Sequence, residues 1–151
     1  MSGARIRCSW IPVITRAEHV LLRLEPDWGA VWYWPSVTDD DGFRPFDAML
    51  DAVSAATGVP RPAFGTTRTP IEVREFFEEI VHVPSGLPAL YHLRVCDLSG
   101  VAHLIANEPF SDGEDREHRW FPLEAVLHLS PSHLRLQPEV PALYRQFRGL
   151  R

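Results

Sequence analysis

The chain has 151 residues, of which 45% are hydrophobic, and it carries a formal net charge of −5. This length suits one hydrophobic core, so we expect a single domain over residues 1–151. No apolar run approaches the roughly 20 residues of a membrane span, and no basic block offers a footprint for nucleic acid, so we expect neither as a partner.

Two features of composition narrow the chemistry and the compartment. The 15 basic residues are all arginine, which excludes Schiff-base catalysis and a P-loop lysine. Cys8 and Cys96 show neither metal-site nor disulfide spacing, and the N-terminal stretch has no long apolar run. These observations predict a cytoplasmic protein.

The first part of the chain predicts strands that lead into a helix. Residues 5–15 and 19–25 are strand-like and joined by a short turn, which predicts a hairpin. Residues 32–37 are aromatic and β-branched, as in a strand. From Pro45, hydrophobic residues recur at three- and four-residue steps, which predicts a helix that ends at Gly58. The apolar residues of this helix are Phe46, Met49, Leu50 and Val53.

The second part predicts further strands and a C-terminal helix. Strands are expected at 67–83, 90–98 and 101–106, an acidic loop at 107–117, a strand and short helix at 117–126, and a helix at 141–148. In the last helix, Leu143, Tyr144 and Phe147 share one side and should be buried.

The stretch 32–59 resembles the Nudix family. The Nudix box runs Gly, five residues, Glu, seven residues, and then Arg-Glu-aliphatic-x-Glu-Glu-x-Gly-aliphatic. The match is carried by Trp34, Pro35, Val53, Gly58 and Val59. The segment EHRWFPLEAV at 117–126 is also similar to the family's acidic loop, Trp-containing strand and short helix. The resemblance implies an α/β (α+β) Nudix-like fold, with a mixed β-sheet sandwiched between helices.

The resemblance fails at the residues that carry the family's chemistry. Counting back from Gly58, the last three of the box's four glutamates fall on Ala52, Ala55 and Ala56, its arginine falls on Asp51, and its first glutamate falls on Phe43. The three alanines share one helical face. In the family, carboxylates on this face hold Mg²⁺, a hard ion that needs oxygen ligands, and methyl groups supply none. We therefore expect no metal, no cofactor and no standard magnesium-dependent activity.

Catalytic candidates come first from a predicted hairpin around Leu87. If pairing partners sum to 174, His82 lies opposite His92, and the polar face also carries Glu78 and Arg94. Opposed histidines beside a carboxylate suit proton transfer, and the alternative is an exposed polar face. In the same strand Glu75 and Glu79 share a face and are candidates to replace the missing helix carboxylates, or they protect a sheet edge by charge.

Further candidates lie in the acidic loop and in the strands beside the expected cleft. In some family members a residue of this loop serves as general base, a role that Glu114, Glu117 or His118 would take, unless the loop is simply solvated. Arg23 occupies the strand that borders the family's cleft. With Arg94 and Trp34 it completes the ligand-binding candidates, because arginine pairs with phosphate and tryptophan stacks on planar rings.

Two functions follow from these observations. The first is a divergent Nudix-fold enzyme, hydrolase-like, that acts by acid–base chemistry on a small, phosphorylated or nucleotide-like metabolite. The alternative is a catalytically inactive module of the same fold that binds a ligand or a partner protein. On either hypothesis the protein binds a small molecule, or in the second case a partner protein, and on either it could form a homodimer.

Overall fold

The structure is a computed structural model that describes residues 6–40, 42–65, 73–82 and 87–149, with the side chains of all of these except 73–74, 77–82 and 87–89. Within these residues the strands are β1 (Ile6–Val13), β2 (Thr15–Arg16), β3 (His19–Glu25), β4 (Val31–Tyr33), β5 (Val37–Asp39), β6 (Val73–His82), β7 (Leu87–Asp97), β8 (Phe110–Ser111) and β9 (Glu117–Pro122). The helices are α1 (Phe46–Thr57), α2 (Leu123–His128), α3 (Pro131–Leu134) and α4 (Glu139–Arg148), and 3₁₀ segments span Pro26–Trp28, Arg61–Phe64 and Ser99–Leu104.

The described strands form two sheets. In the first the order is β5-β1-β7-β6, and β1 runs parallel to β7 while the other pairs are antiparallel. In the second the order is β2-β3-β9-β8, and β4 also pairs with β3. The predicted mixed sheet is therefore confirmed.

Helices cover both faces of the sheets. Ile11 of β1 and Leu93 of β7 belong to a buried apolar cluster with residues of α2 and α4. Trp10 and Cys96, which point the other way because side chains alternate along a strand, belong to a second cluster with residues of α1. The sheets thus lie between α1 on one side and α2 and α4 on the other, as the sequence predicts.

Helix α1 confirms the reading of its sequence. Met49, Leu50 and Val53 are buried, and Phe46 packs against the same cluster. Gly58 ends the helix in the left-handed region at φ 78°, and its N–H donates to the carbonyl of Ser54 at 2.9 Å. Glycine suits this position because it has no Cβ to strain the left-handed conformation.

Other local predictions are corrected by the tertiary pairing. The expected hairpin of 5–15 with 19–25 is confirmed only next to its turn, where β2 pairs with β3; β1 joins the first sheet instead. The strand expected at 32–37 is divided into β4 and β5, since Pro35 has no N–H and the Ser36 N–H donates to the carbonyl of Trp34. The strand expected at 101–106 is a 3₁₀ segment instead.

The C-terminal half otherwise follows its sequence pattern. Strand β9 is followed directly by α2, and α4 buries the predicted Leu143, Tyr144 and Phe147. The short α3 has no counterpart among the predicted elements. In the described part of the chain, no helix has the length and apolarity needed to traverse a bilayer.

Candidate functional site

A cleft of about 530 Å³ opens on the α1 side of the sheets. Its lining combines the C-terminal half of α1, Arg23 of β3, segment 35–38, Arg44 and the turn 112–116 between β8 and β9. The volume falls within the range of small-molecule sites. The cleft is therefore large enough to hold a metabolite.

The wall formed by α1 is apolar where it faces the cleft. Ala52, Val53, Ala55, Ala56 and Thr57 line it. The three alanines lie together because residues three and four apart share a face of a helix. This wall presents methyl groups and one hydroxyl to a ligand, and no carboxylate.

Arg23 supplies a buried positive charge to the same cleft. Only 5% of the residue is exposed, and its Nε donates to Glu25 Oε2 at 2.6 Å. Its Nη2 is 3.4 Å from Ser36 Oγ, a long hydrogen bond, and its Nη1 donates to no described residue. Burial lowers the pKa of Arg23, the Glu25 carboxylate opposes this effect and Arg116 adds to it. A guanidinium nevertheless remains charged in proteins, so Arg23 is a cation with donors to spare.

The turn between β8 and β9 forms the opposite wall and is organised by Asp112. Asp112 Oδ1 accepts the N–H groups of Glu114 at 2.8 Å and Arg116 at 3.1 Å. The Arg116 guanidinium bridges Asp112 Oδ2 at 3.2 Å and Glu114 Oε2 at 2.8 Å. Burial acts to raise the pKa of Asp112, but these hydrogen bonds and the Arg116 charge outweigh it, and the pKa is lowered. Asp112 is therefore ionised, and both carboxylates are already paired with Arg116.

Comparisons with known proteins show which solved structures have a similar fold. No protein-family model matches the sequence, and a search of curated proteins also finds no match. Among solved structures, the Nudix domain of Shewanella oneidensis NrtR, solved with ADP-ribose, matches 99% of this chain and 89% of its own length, with a TM-score of 0.59 at 12% identity. The E. coli dihydroneopterin triphosphate pyrophosphohydrolase matches over 97% of each chain, with a TM-score of 0.57 at 12% identity. A C. elegans Ap4A hydrolase matches over 96% of each chain, with a TM-score of 0.56 at 16% identity.

The chain has the Nudix fold. The resemblance seen in the stretch 32–59 is thereby confirmed at the level of architecture. At identities of 12–16% the likeness shows the fold, and function has to be argued from the residues of the cleft.

The residues on the α1 wall do not fit the Mg²⁺ that the Nudix fold implies. This ion requires near-octahedral oxygen coordination, and the wall offers Ala52, Ala55 and Ala56. Among the described side chains, no group of three or more His, Cys, Asp or Glu is placed to hold a metal. Asp112 and Glu114 face the cleft, but Arg116 already occupies both.

The predicted pairing of the β6–β7 hairpin is wrong. His82 pairs with Leu87 and His92 pairs with Phe77, so partners sum to 169 and not to 174. The two sums differ by an odd number. An odd shift in register places a side chain on the opposite face of the sheet from the residue that was expected to be its partner. The two histidines therefore do not oppose each other. The side chains of Glu78, Glu79 and His82 lie outside the described residues.

The corrected pairing brings together a different polar cluster on β6 and β7. Glu75 pairs with Arg94, and Glu75 Oε1 accepts from Arg94 Nε at 3.1 Å and from His92 Nε2 at 3.0 Å. The hydrogen bond from Arg94 is the largest effect that lowers the pKa of Glu75, with His92 contributing. The Arg94 guanidinium lies 3.9 Å from the ring centre of Phe43, which also meets His92 edge-on. Neither His92 nor Arg94 lines the cleft.

His118 lies fully buried next to the cleft base. It pairs with Arg23 across β3 and β9, and its ring stacks on Phe110 with centres 4.9 Å apart. Nδ1 is 3.2 Å from the carbonyl of Arg116, and Nε2 has no hydrogen-bond partner among the described residues. Burial, followed by the charge of Arg23, lowers the pKa of His118 to about 4. The imidazole is therefore neutral at pH 7, with its proton on Nδ1 so that it can donate to that carbonyl.

Two other predicted site residues lie away from the cleft lining. Glu117 forms an ion pair with Arg119 at 2.6 Å. Trp34 is fully buried and stacks on Tyr144. Of the predicted ligand-binding residues, Arg23 is thus the one that the structure places in the cleft.

Sequence reasoning missed Arg116 and Ser36 in the cleft. The Asp112–Gly113 pair is a turn signal, and a turn there brings Arg116 back to Asp112. That signal is readable in the sequence. Nothing local to Ser36 indicates that it approaches Arg23.

Proposed function

We propose that the protein is a ligand-binding module of the Nudix fold, whose cleft holds a small, anionic, nucleotide-like metabolite without magnesium-dependent hydrolysis. One observation carries this proposal: a buried guanidinium, Arg23, faces an α1 wall made of alanine. Arginine recognises phosphate and carboxylate through paired hydrogen bonds, so the cleft keeps an anion-binding group.

The alanine wall is what favours binding over the family's usual reaction. In the Nudix box these positions carry the acids that hold the catalytic ion, and here they carry methyl groups. We take the box to be degenerate on this ground. A cleft that retains its cation and lacks its acids can still select a ligand, but it has no oxygen cage in which to activate a diphosphate.

Acid–base hydrolysis remains a second candidate because Glu114 lies in the cleft lining. Arg116 holds its Oε2 at 2.8 Å, but the side chain is 74% exposed, so the carboxylate still meets water at the rim. On this reading Glu114 is the general base and Arg23 holds the substrate's anionic group.

Calorimetry and product analysis with the same compounds separate the two candidates. ADP-ribose and Ap4A are titrated into the protein and also incubated with it, and products are followed by chromatography. The binding module gives heat of binding and a raised melting temperature with at least one compound, and no products. If neither compound binds or shifts the melting temperature, the proposed function is refuted.

A matched pair of variants tests the hydrolase. Glu114→Gln removes the candidate base, while Asp115→Asn changes an exposed neighbour that does not line the cleft. Products formed by the wild type and by Asp115→Asn, but not by Glu114→Gln, would replace the binding proposal with the hydrolase.

A further inference from the structure

Resting on the proposed function, we infer that the cleft takes the phosphate groups of its ligand free of divalent metal, between Arg23 and Arg116, so that Mg²⁺ weakens binding. Both arginines line the cleft. Glu25 holds Nε of Arg23, while Asp112 holds Nε and Glu114 holds Nη2 of Arg116. The remaining donors are available to a ligand. The inference concerns the form of the ligand and leaves open the nucleoside that carries the phosphate.

The charges around the cleft favour the free anion. Three arginines and two carboxylates line it, and Arg23 and Arg116 lie near enough for the charge of one to act on the other. An anion between them relieves this repulsion and gains charge-assisted hydrogen bonds. A phosphate that already carries Mg²⁺ brings less negative charge and adds a third cation to the pair.

The α1 wall makes the metal-bound form worse still. Mg²⁺ gives up its water reluctantly and accepts oxygen ligands in exchange. A Mg²⁺ ion next to Ala52, Ala55 and Ala56 would have to give up water ligands, and the methyl groups there offer no oxygen to replace them. The same methyl groups suit the apolar faces of a base or ribose, because burying them removes apolar surface from water. The wall therefore contacts the body of the ligand, while the arginines hold its phosphates.

The test compares the affinity for ADP-ribose in EDTA with that in saturating Mg²⁺ by calorimetry. We expect the wild type to bind several-fold more weakly in Mg²⁺. Arg116→Ala should weaken binding in EDTA by about tenfold or more, because it removes a hydrogen bond to a charged group. Arg119→Ala, which removes an exposed arginine outside the cleft, is the control and should bind as the wild type does.

Restoring the acids should reverse the effect of the metal. The triple variant Ala52→Glu, Ala55→Glu, Ala56→Glu should bind ADP-ribose weakly in EDTA and more tightly when Mg²⁺ is added. Ala63→Glu, which adds a carboxylate at an exposed alanine outside the cleft lining, should keep the wild-type response. Melting curves establish that each variant is folded, and Arg116→Ala provides the test even if the triple variant is not.

The outcomes distinguish this inference from the function on which it rests. Wild-type binding that Mg²⁺ strengthens, or Arg116→Ala binding as tightly as Arg119→Ala, overturns the inference and leaves the ligand-binding module standing. Absence of binding in both conditions, with Ap4A as well as ADP-ribose, overturns the proposed function and this inference with it.

Discussion

Arg23 and Glu25 form a buried ion pair, so we expect the effects of changing the two residues on the free energy of unfolding to depend strongly on each other. Its side chains are only 6% and 10% exposed, and the Nε–Oε2 distance is 2.6 Å. Arg23→Met keeps an unbranched side chain but leaves a buried carboxylate without its partner. Breaking a buried pair in this way costs about 3–5 kcal/mol. We expect about 3 kcal/mol, because water in the neighbouring cleft can reach Arg23.

A double-mutant cycle measures that coupling. Arg23→Met, Glu25→Gln and the double variant are unfolded in urea and followed by tryptophan fluorescence. The double variant should be more stable than the sum of the single changes predicts, by at least about 1 kcal/mol, because it no longer leaves a charge unpaired. The pair Glu117 and Arg119 is the control: it has the same 2.6 Å distance but side chains 34% and 50% exposed. Its coupling should stay within about 0–1 kcal/mol.

Additivity would refute this reasoning. If the single changes at Arg23 and Glu25 sum to the double within about 0.5 kcal/mol, the two charges do not depend on each other. The reasoning is also refuted if the exposed control pair couples as strongly as the buried one, because burial would then not set the strength of the interaction.

Two further predictions concern His118 and Gly58. The pKa of His118 is lowered to about 4, so as pH falls the unfolded chain binds a proton at this histidine before the folded protein does. The free energy of unfolding should therefore fall between about pH 6.5 and pH 4, by up to about 3 kcal/mol. Urea titrations of the wild type over this pH range measure the change. His118→Phe should lose that slope, whereas a variant of exposed His19, His19→Asn, should keep it, and the opposite pattern would contradict the assignment. Gly58→Ala should cost about 1 kcal/mol, because Gly58 has φ +78° with open space around it and the cost is backbone strain alone. Gly100→Ala also meets open space but without a positive φ, so equal losses in the two melting curves would show that strain is not the cause.

The parts of the fold that the sequence predicts well are those with local causes. Helix α1 is bounded by Pro45 and by a glycine in the left-handed region, and its buried face is visible as a three- and four-residue spacing. Helix α4 is predicted for the same reason, and its observed start at Glu139 differs from the expected one by two residues. Such signals need no knowledge of the rest of the chain.

The errors arise where a partner distant in sequence decides the structure. The register of β6 against β7 is not fixed by either strand alone, and the observed pairing of His82 with Leu87 gives a partner sum that is five lower than the expected 174. That change replaced the predicted pair of histidines with the contact of Glu75 to Arg94 and His92. Likewise, β1 is a good strand in isolation, but its neighbours are β5 and β7.

The candidate site shows the same division. Arg23 could be identified from the family's strand order, and the alanines from a count along the box. Arg116 could not be placed over the cleft until the β8–β9 turn set it beside β3. The sequence thus indicates that the helix lacks the metal-binding carboxylates, whereas the three-dimensional structure shows which arginines line the cleft.

The parallel pairing of β1 with β7 also has a consequence for how the chain is made. Its partners run from Ile6 with Leu90 to Val13 with Asp97, so each residue of β1 is synthesised 84 residues before its partner in β7. At about 5–20 residues per second, the ribosome takes roughly 4–17 seconds to cover this separation. Throughout that interval β1 lacks its partner on one edge, and its backbone N–H and C=O groups on that edge stay open to pairing with other chains.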